Sequence, residues 1–144
     1  MCQDFESAVH HSLCFGCGPS HGTGLGLNVV RDSPEQAHAT FLVTVDHQGP
    51  PGFIHGGLLA CLFDEVFAGA IKLMNIFAVT VRLETDFLAP IPIGSRIKIA
   101  AHCIKTAGRK MQCTGTVTLT SQNNQIAARA SALFVSISAE QLGT

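Results

Sequence analysis

A chain of 144 residues with 47% hydrophobic content carries enough apolar surface to bury a core, which excludes a disordered chain and favours one domain over residues 1–144. Nine basic against ten acidic residues leave a formal charge of −1, so the balance gives no reason to expect a nucleic-acid or membrane-surface partner. The leader MCQDFESAVHHS has neither the basic start nor the apolar run of a secretory signal, so the six cysteines read as thiols in a reducing, cytoplasmic setting.

After the leader, the glycine-rich stretch CFGCGPSHGTGLGL predicts a loop running into a strand. In QAHATFLVTV, residues Ala37, Ala39, Phe41, Val43 and Val45 fall on one side, the alternation of a strand with one buried face. GPPG, Gly49 to Gly52, ends it. From Gly56 to Asn75 the chain is rich in Leu, Ala, Phe and Met without proline, which predicts a helix of about five turns. It approaches membrane-spanning length, yet Asp64, Glu65 and Lys72 within it mark a helix buried in protein. Four strand-like runs follow: Phe77 to Phe87, Arg96 to Lys105, Met111 to Thr120 and Ile126 to Ser138. The turn signals between them are Pro90, Pro92 and Gly94, then Ala107-Gly108, then Asn123-Asn124. The sum is an α+β chain in which one antiparallel sheet wraps around one long central helix. Low charge beside so much apolar content implies that part of the surface is hidden in an oligomer.

The chemistry gathers at the mouth of the helix, GPPGFIHGGLLACLFDEVF. Glycines in a first turn leave early backbone N–H groups uncovered, and these donors with the helix dipole favour negative charge. Gly56 and Gly57 admit a ligand close to that backbone, and a carbonyl oxygen resting there would be polarised toward an oxyanion. Asp64 lies two turns from Gly57, on the same face to within roughly 20° but about 10 Å along the axis. It cannot readily reach a carbonyl held at Gly57 of its own helix. It can do so across a two-fold axis, if two such helices pack antiparallel along the small-residue stripe Gly57, Cys61, Asp64 and Ala68. Glu65 is turned about 100° away and reads as structural or exposed.

HGGLLACLFDEVF resembles the helix motif of the hotdog-fold acyl-CoA thioesterases of the PaaI-like, phenylacetate-pathway type, in which His-Gly-Gly precedes an Asp at the spacing from His55 to Asp64. The similarity extends over CFGCGPSHGTGLGL, HQGPPGFIHGG and TVRLETDFLAPIPIG, nearly the whole chain. It departs at Ser20-His21, where relatives often carry Asn-Pro. The resemblance implies a hotdog fold hydrolysing an acyl-CoA without a cofactor, in a homodimer or a tetramer made of two dimers. It further implies that Gly57 supplies an oxyanion N–H, that Asp64 of the partner subunit is base or nucleophile, and that His55 and Thr80 line the site. A thiolate leaving group with a pKa around 8.5 needs no strong general acid, so one carboxylate suffices for either route.

Each candidate has a plainer reading. Asp64 can be a helix acid paired with Lys72. His55, a candidate catalytic base, can instead shape the turn by donating to a backbone carbonyl; His47, a candidate substrate contact, can be a solvated loop residue, and Thr80 an ordinary strand threonine. Cys14 and Cys17, flanked by His11 and His21, have metal-ligand spacing, but no second paired cluster completes a tetrahedral set, and no metal is expected. GTGLGL fails the dinucleotide pattern at Leu27. In KTAGRK, Lys105, Arg109 and Lys110 are candidates for coenzyme A phosphates, with Arg82 and Arg96 as competitors. Two other functions share the fold. A non-catalytic acyl-CoA-binding module would keep the glycine mouth without needing Asp64, and an acyl-CoA hydratase would need an Asp and His pair that the sequence does not offer.

Overall fold

Alternating small and branched residues set the architecture. In the computed structural model, which describes residues 7–142, six strands and one α-helix form in the order β1 (Val30–Ser33), β2 (Gln36–Leu42), α1 (Gly56–Leu73), β3 (Ala78–Phe87), β4 (Arg96–Lys105), β5 (Lys110–Leu119) and β6 (Gln125–Ser136). The start of the leader, residues 1–6 with Cys2, lies outside the described residues. The strands make one antiparallel sheet in the order β1-β2-β4-β5-β6-β3. Register aligns Ala39 with Ile99, Ile99 with Val117 and Val117 with Ala128, a buried row across four strands.

Helix α1 lies on that row through Leu59, Leu62, Phe63, Val66, Phe67 and Ala70, all buried. Burying one such phenylalanine contributes about 2 to 3 kcal/mol. The Phe63 and Phe67 rings stack at 5.8 Å, and Gly115 makes room for the second, since a Cβ there would stand 2.8 Å from the Phe67 ring. The N-terminal loop covers a further flank of the helix, with Cys17, Leu27 and Val29 buried. Among the described residues no helix is long and apolar enough to cross a membrane.

The structure revises two expected boundaries. The helix stops at Leu73 rather than Asn75, because Asn75 adopts φ 62° and donates its N–H to Lys72 O at 2.8 Å, a left-handed C-terminal cap. Strand β2 stops at Leu42, and Val45 is 69% exposed instead of inward. The Thr44 N–H donates to His47 Nδ1 at 2.9 Å, which turns the chain into the 3₁₀ turn Val45–His47 before the alternation can continue. The sheet packs around the long helix as expected and leaves one stripe of it uncovered: Gly57 is exposed and Cys61, Asp64 and Ala68 are half-buried. That open stripe adjoins β3, a free sheet edge along which Phe77, Val79, Val81 and Phe87 are exposed.

Candidate active site

The chain reaches the helix through a tight approach. Gly49 N donates to Phe53 O at 2.9 Å, Gly52 sits at φ 87°, and His55 N donates to His47 O at 2.9 Å. A Cβ on Gly49 would meet His55 Cα at 2.7 Å, so only glycine lets the loop close this far. His47 is therefore not a solvated loop residue. Its ring packs on Phe41 at 4.7 Å, its Nδ1 is taken by Thr44, and its carbonyl fixes His55.

His55 is the N-cap of α1, and its ring does the reverse of what its sequence context suggested: Nδ1 accepts the Gly57 N–H at 2.9 Å instead of donating to a carbonyl. The ring also lies 3.1 Å from where a Gly57 Cβ would be. The N–H that the sequence offers to an oxyanion is thus occupied, at an exposed position from which an incoming oxygen can take it over. Gly56 is half-buried, and a Cβ on it would stand 3.6 Å from the Phe87 ring. Between them, Pro50, Phe53, Gly56, Leu59, Phe87 and Pro90 line a cavity of about 340 Å³. Sequence reading missed this apolar recess, because Phe87 follows Gly56 by 31 positions and meets it only once β3 lies beside α1.

Two turns along, Asp64 is not paired with Lys72, whose Nζ donates to Ser7 O at 2.8 Å. It accepts instead from Thr80 Oγ1 at 2.6 Å. A bulge in β3 explains the aim: Thr80 pairs with Phe134 and Arg82 with Leu133, so Val81 is extra. The inserted residue reverses the alternation, leaving Thr80 toward the helix and Arg82 on the outer face. There Arg82 forms an ion pair with Glu84, away from the helix mouth. Lys105, Arg109 and Lys110 sit on the β4–β5 hairpin, whose Arg109 O accepts from Ser136 N at 2.8 Å. Ser136 pairs with Ala78, just past the C-terminal end of α1, so within one chain these cations are a helix length, about 27 Å, from Gly57.

Six of the candidates thus come together in two places, Gly56, Gly57 and His55 at the mouth with His47 behind them, and Asp64 with Thr80 on the open stripe. Glu65 faces the N-terminal loop, where burial pushes its carboxyl up but the close approach of His10, Cys17 and Cys14 and the charge of His10 outweigh that and hold it below its ordinary value. Burial, then the charges of Asp64 and Glu65, push the Cys61 thiol up, which disfavours its thiolate beside the stripe.

Comparison with known proteins shows likeness of sequence and of fold. The thioesterase superfamily model matches residues 51–125, just over half of the chain. The acyl-coenzyme A thioesterase THEM4 of Rattus norvegicus is 32% identical over 90 residues, which cover 62% of this chain and 38% of that protein. The chain spans about two fifths of the length of the curated THEM4 relatives it matches. Among solved structures, a thioesterase superfamily protein, RHA08564, superposes with a TM-score of 0.77 at 25% identity over 85% of this chain and 62% of that one. The PaaI protein of E. coli superposes at 0.70 with 22% identity, over 77% and 83% of the two chains, a likeness of fold.

Proposed function

The chain belongs to the thioesterase superfamily, and from that premise we propose that it hydrolyses acyl-coenzyme A thioesters to a free acid and coenzyme A. The observation that carries the reading is the Asp64 carboxylate, held by Thr80 at 2.6 Å on an open helix stripe two turns from the Gly57 N–H. One chain keeps these groups about 10 Å apart along the axis. Two copies complete the site when their β3 edges meet and their helices run antiparallel, so that each Gly57 faces the partner's Asp64. The unpaired β3 edge and its exposed Phe77, Val79 and Val81 supply the contact surface.

In this homodimer the thioester carbonyl displaces the His55 ring from the Gly57 N–H and is polarised by that donor and by the helix terminus. The recess lined by Phe53, Leu59 and Phe87 takes the acyl group. Asp64, with one oxygen occupied by Thr80, uses the other to take a proton from water. The new hydroxide forms the C–O bond, the C–S bond breaks, and coenzyme A leaves as a thiolate that needs little help from an acid. The β4–β5 hairpin of the partner, at the far end of its helix, comes to the same mouth and brings Lys105, Arg109 and Lys110 toward the coenzyme A phosphates.

The test is thiol release from a panel of aryl and alkyl acyl-CoAs by wild type and by Asp64→Ala, with circular dichroism to verify folding. Wild type should turn over at least one class, and the variant should lose about a thousandfold in kcat. Absence of any thioester cleavage by wild type, or near-full activity in the variant, would overturn the reading. Single turnover in ¹⁸O-water separates the routes: label should appear in the acid product and not in Asp64.

A further inference from the structure

Away from the helix mouth, the fold assembles four side chains that the hydrolysis does not use. His10, Cys14 and Cys17 come from the N-terminal loop and Glu65 from α1, and their ligand atoms all lie within 4.8 Å of one another. His10 Nδ1 stands 3.3 Å from Cys17 Sγ and 3.2 Å from Glu65 Oε1, and Cys14 Sγ stands 3.9 Å from Glu65 Oε2. A tetrahedron with bonds of about 2.0 to 2.3 Å has edges of about 3.3 to 3.8 Å, so these separations already approach its outline. We propose that His10, Cys14, Cys17 and Glu65 form a four-ligand site for a divalent transition metal, with zinc the ion that fits best.

The surroundings favour a ligand over a plain hydrogen-bonded cluster. The Glu65 side chain is 12% exposed, and its Oε1 is buried without a hydrogen-bond partner, since the approach of His10 Nδ1 is close but not aligned for one. A buried carboxylate oxygen with only an unaligned imidazole beside it is costly, and a cation would satisfy it. The loop is shaped to deliver sulfur. Gly18 N donates to Cys14 O at 2.8 Å, and a Cβ on Gly18 would meet Cys14 N, Cys14 O and Ser12 O at 2.5 Å. A Cβ on Gly16 would collide with the Glu65 carboxylate, so glycine there is the condition for Glu65 to reach the thiols. The His10 N–H donates to Cys17 Sγ at 3.2 Å, a contact that strengthens when the sulfur is a thiolate.

Ligand chemistry then selects the ion. Two thiolates, one imidazole and one carboxylate in a tetrahedral outline suit zinc, and four protein ligands leave no open position for water, so the site is structural. Thiols bind the ion as thiolates, so metal uptake releases protons. The sequence expectation of no metal rested on the lack of a second ligand pair and on His11 and His21 as flanking candidates. Those two rings are occupied on their own loop, His11 Nδ1 by Leu13 N at 3.1 Å and His21 Nδ1 by Thr23 N at 3.3 Å. The second pair is His10 and Glu65, and Glu65 lies 48 positions beyond Cys17, on an element that periodicity alone does not set beside the loop. Such a site would tie residues 7–29, which have little regular structure of their own, to the helix one position from Asp64.

The test reads metal and not hydrolysis, so it stands apart from the thioesterase reading. The full chain, purified from zinc-supplemented cells, should hold one equivalent of zinc. Stripped by a chelator under reductant and titrated with Co²⁺ without oxygen, it should show a thiolate-to-cobalt charge-transfer band and intense tetrahedral d–d bands. His10→Ala and Cys17→Ser should weaken Co²⁺ affinity at least a hundredfold, Glu65→Gln should weaken it less, and His21→Ala should leave it unchanged. If the loop variants fold poorly, the wild-type spectrum still decides. No cobalt uptake, a weak octahedral spectrum without sulfur bands, or a full equivalent of zinc in Cys17→Ser would each overturn the proposal.

Discussion

His55 Nδ1 accepts the Gly57 N–H at 2.9 Å, so the donor assigned to the substrate carbonyl is already engaged in the free protein. In the proposed mechanism the ring is a cap that the substrate replaces and not a base. His55→Ala should therefore lower unfolding stability by about 1 kcal/mol, the usual cost of losing an N-cap. Its kcat should fall much less than that of Asp64→Ala. His55→Asn, whose side-chain oxygen can cap the same turn, should recover most of the stability. Urea unfolding and initial rates on the three proteins check this, and a loss in kcat as large as that of Asp64→Ala would make the imidazole a chemical participant.

In the proposed mechanism Thr80 acts on the carboxylate and not on the substrate. Its Oγ1 donates to Asp64 Oδ1 at 2.6 Å, which fixes the rotamer and leaves one oxygen for water. Thr80→Val keeps the shape and removes the donor. It should lower kcat by roughly tenfold to a hundredfold with little change in KM, because the lost contact orients a reacting group and does not bind the ground state. Thr80→Ser should restore most of the rate.

How much of this could be read from the chain alone follows the range of each signal. Strand alternation and the apolar run of α1 are local, so the sheet and helix fell within two or three residues of their observed bounds, and Asp64 was singled out by its spacing from Gly57. The contacts that give those residues their roles are not local. Thr80 points at Asp64 because Val81 is a bulge, and no residue type announces a bulge there. The His55 ring could donate or accept, and loop closure at Gly49 decided it. The offset of about 100° that takes Glu65 off the Asp64 face is the same rotation that turns it toward Cys14 and Cys17.

The Cys113 thiol should make the fold sensitive to alkali. Cys113 is buried opposite Cys103, and the hydrogen bond with Cys103, then burial, then the Cys103 and Asp64 charges push its pKa far up. An unfolded thiol titrates near about 8.5. The native pKa is raised, so the protonated form stabilises the fold fully below that pH. Above it the unfolded chain loses the proton while the native one keeps it, and stability falls by up to about 1.4 kcal/mol per pH unit for this group. Urea midpoints taken from pH 7 to pH 10 should decline beyond pH 8.5. Cys113→Ala should be about 1 kcal/mol less stable at pH 7 and show a flatter decline. An identical slope in the two proteins would remove Cys113 as the cause.

Sharing of the site between two copies has a sharper test than oligomeric state. In Asp64→Ala homodimers both sites lack the carboxylate. In Gly57→Val homodimers both lack an accessible mouth, since a side chain at Gly57 runs into the His55 ring from 3.1 Å and blocks the carbonyl. If each site takes Gly57 from one copy and Asp64 from the other, a mixed dimer carries both lesions in one site and none in the second. Mixing the two inactive proteins and allowing subunits to exchange should then restore up to about one quarter of wild-type activity, because roughly half of the dimers are mixed and each holds one intact site. Val81→Asp, which places a charge on the exposed β3 edge, should yield monomers that keep every site residue and lose the activity. No recovery on mixing, with exchange verified by mass spectrometry of the intact dimers, would mean that Gly57 and Asp64 of one chain act together and that the antiparallel pairing of helices is not the source of the site.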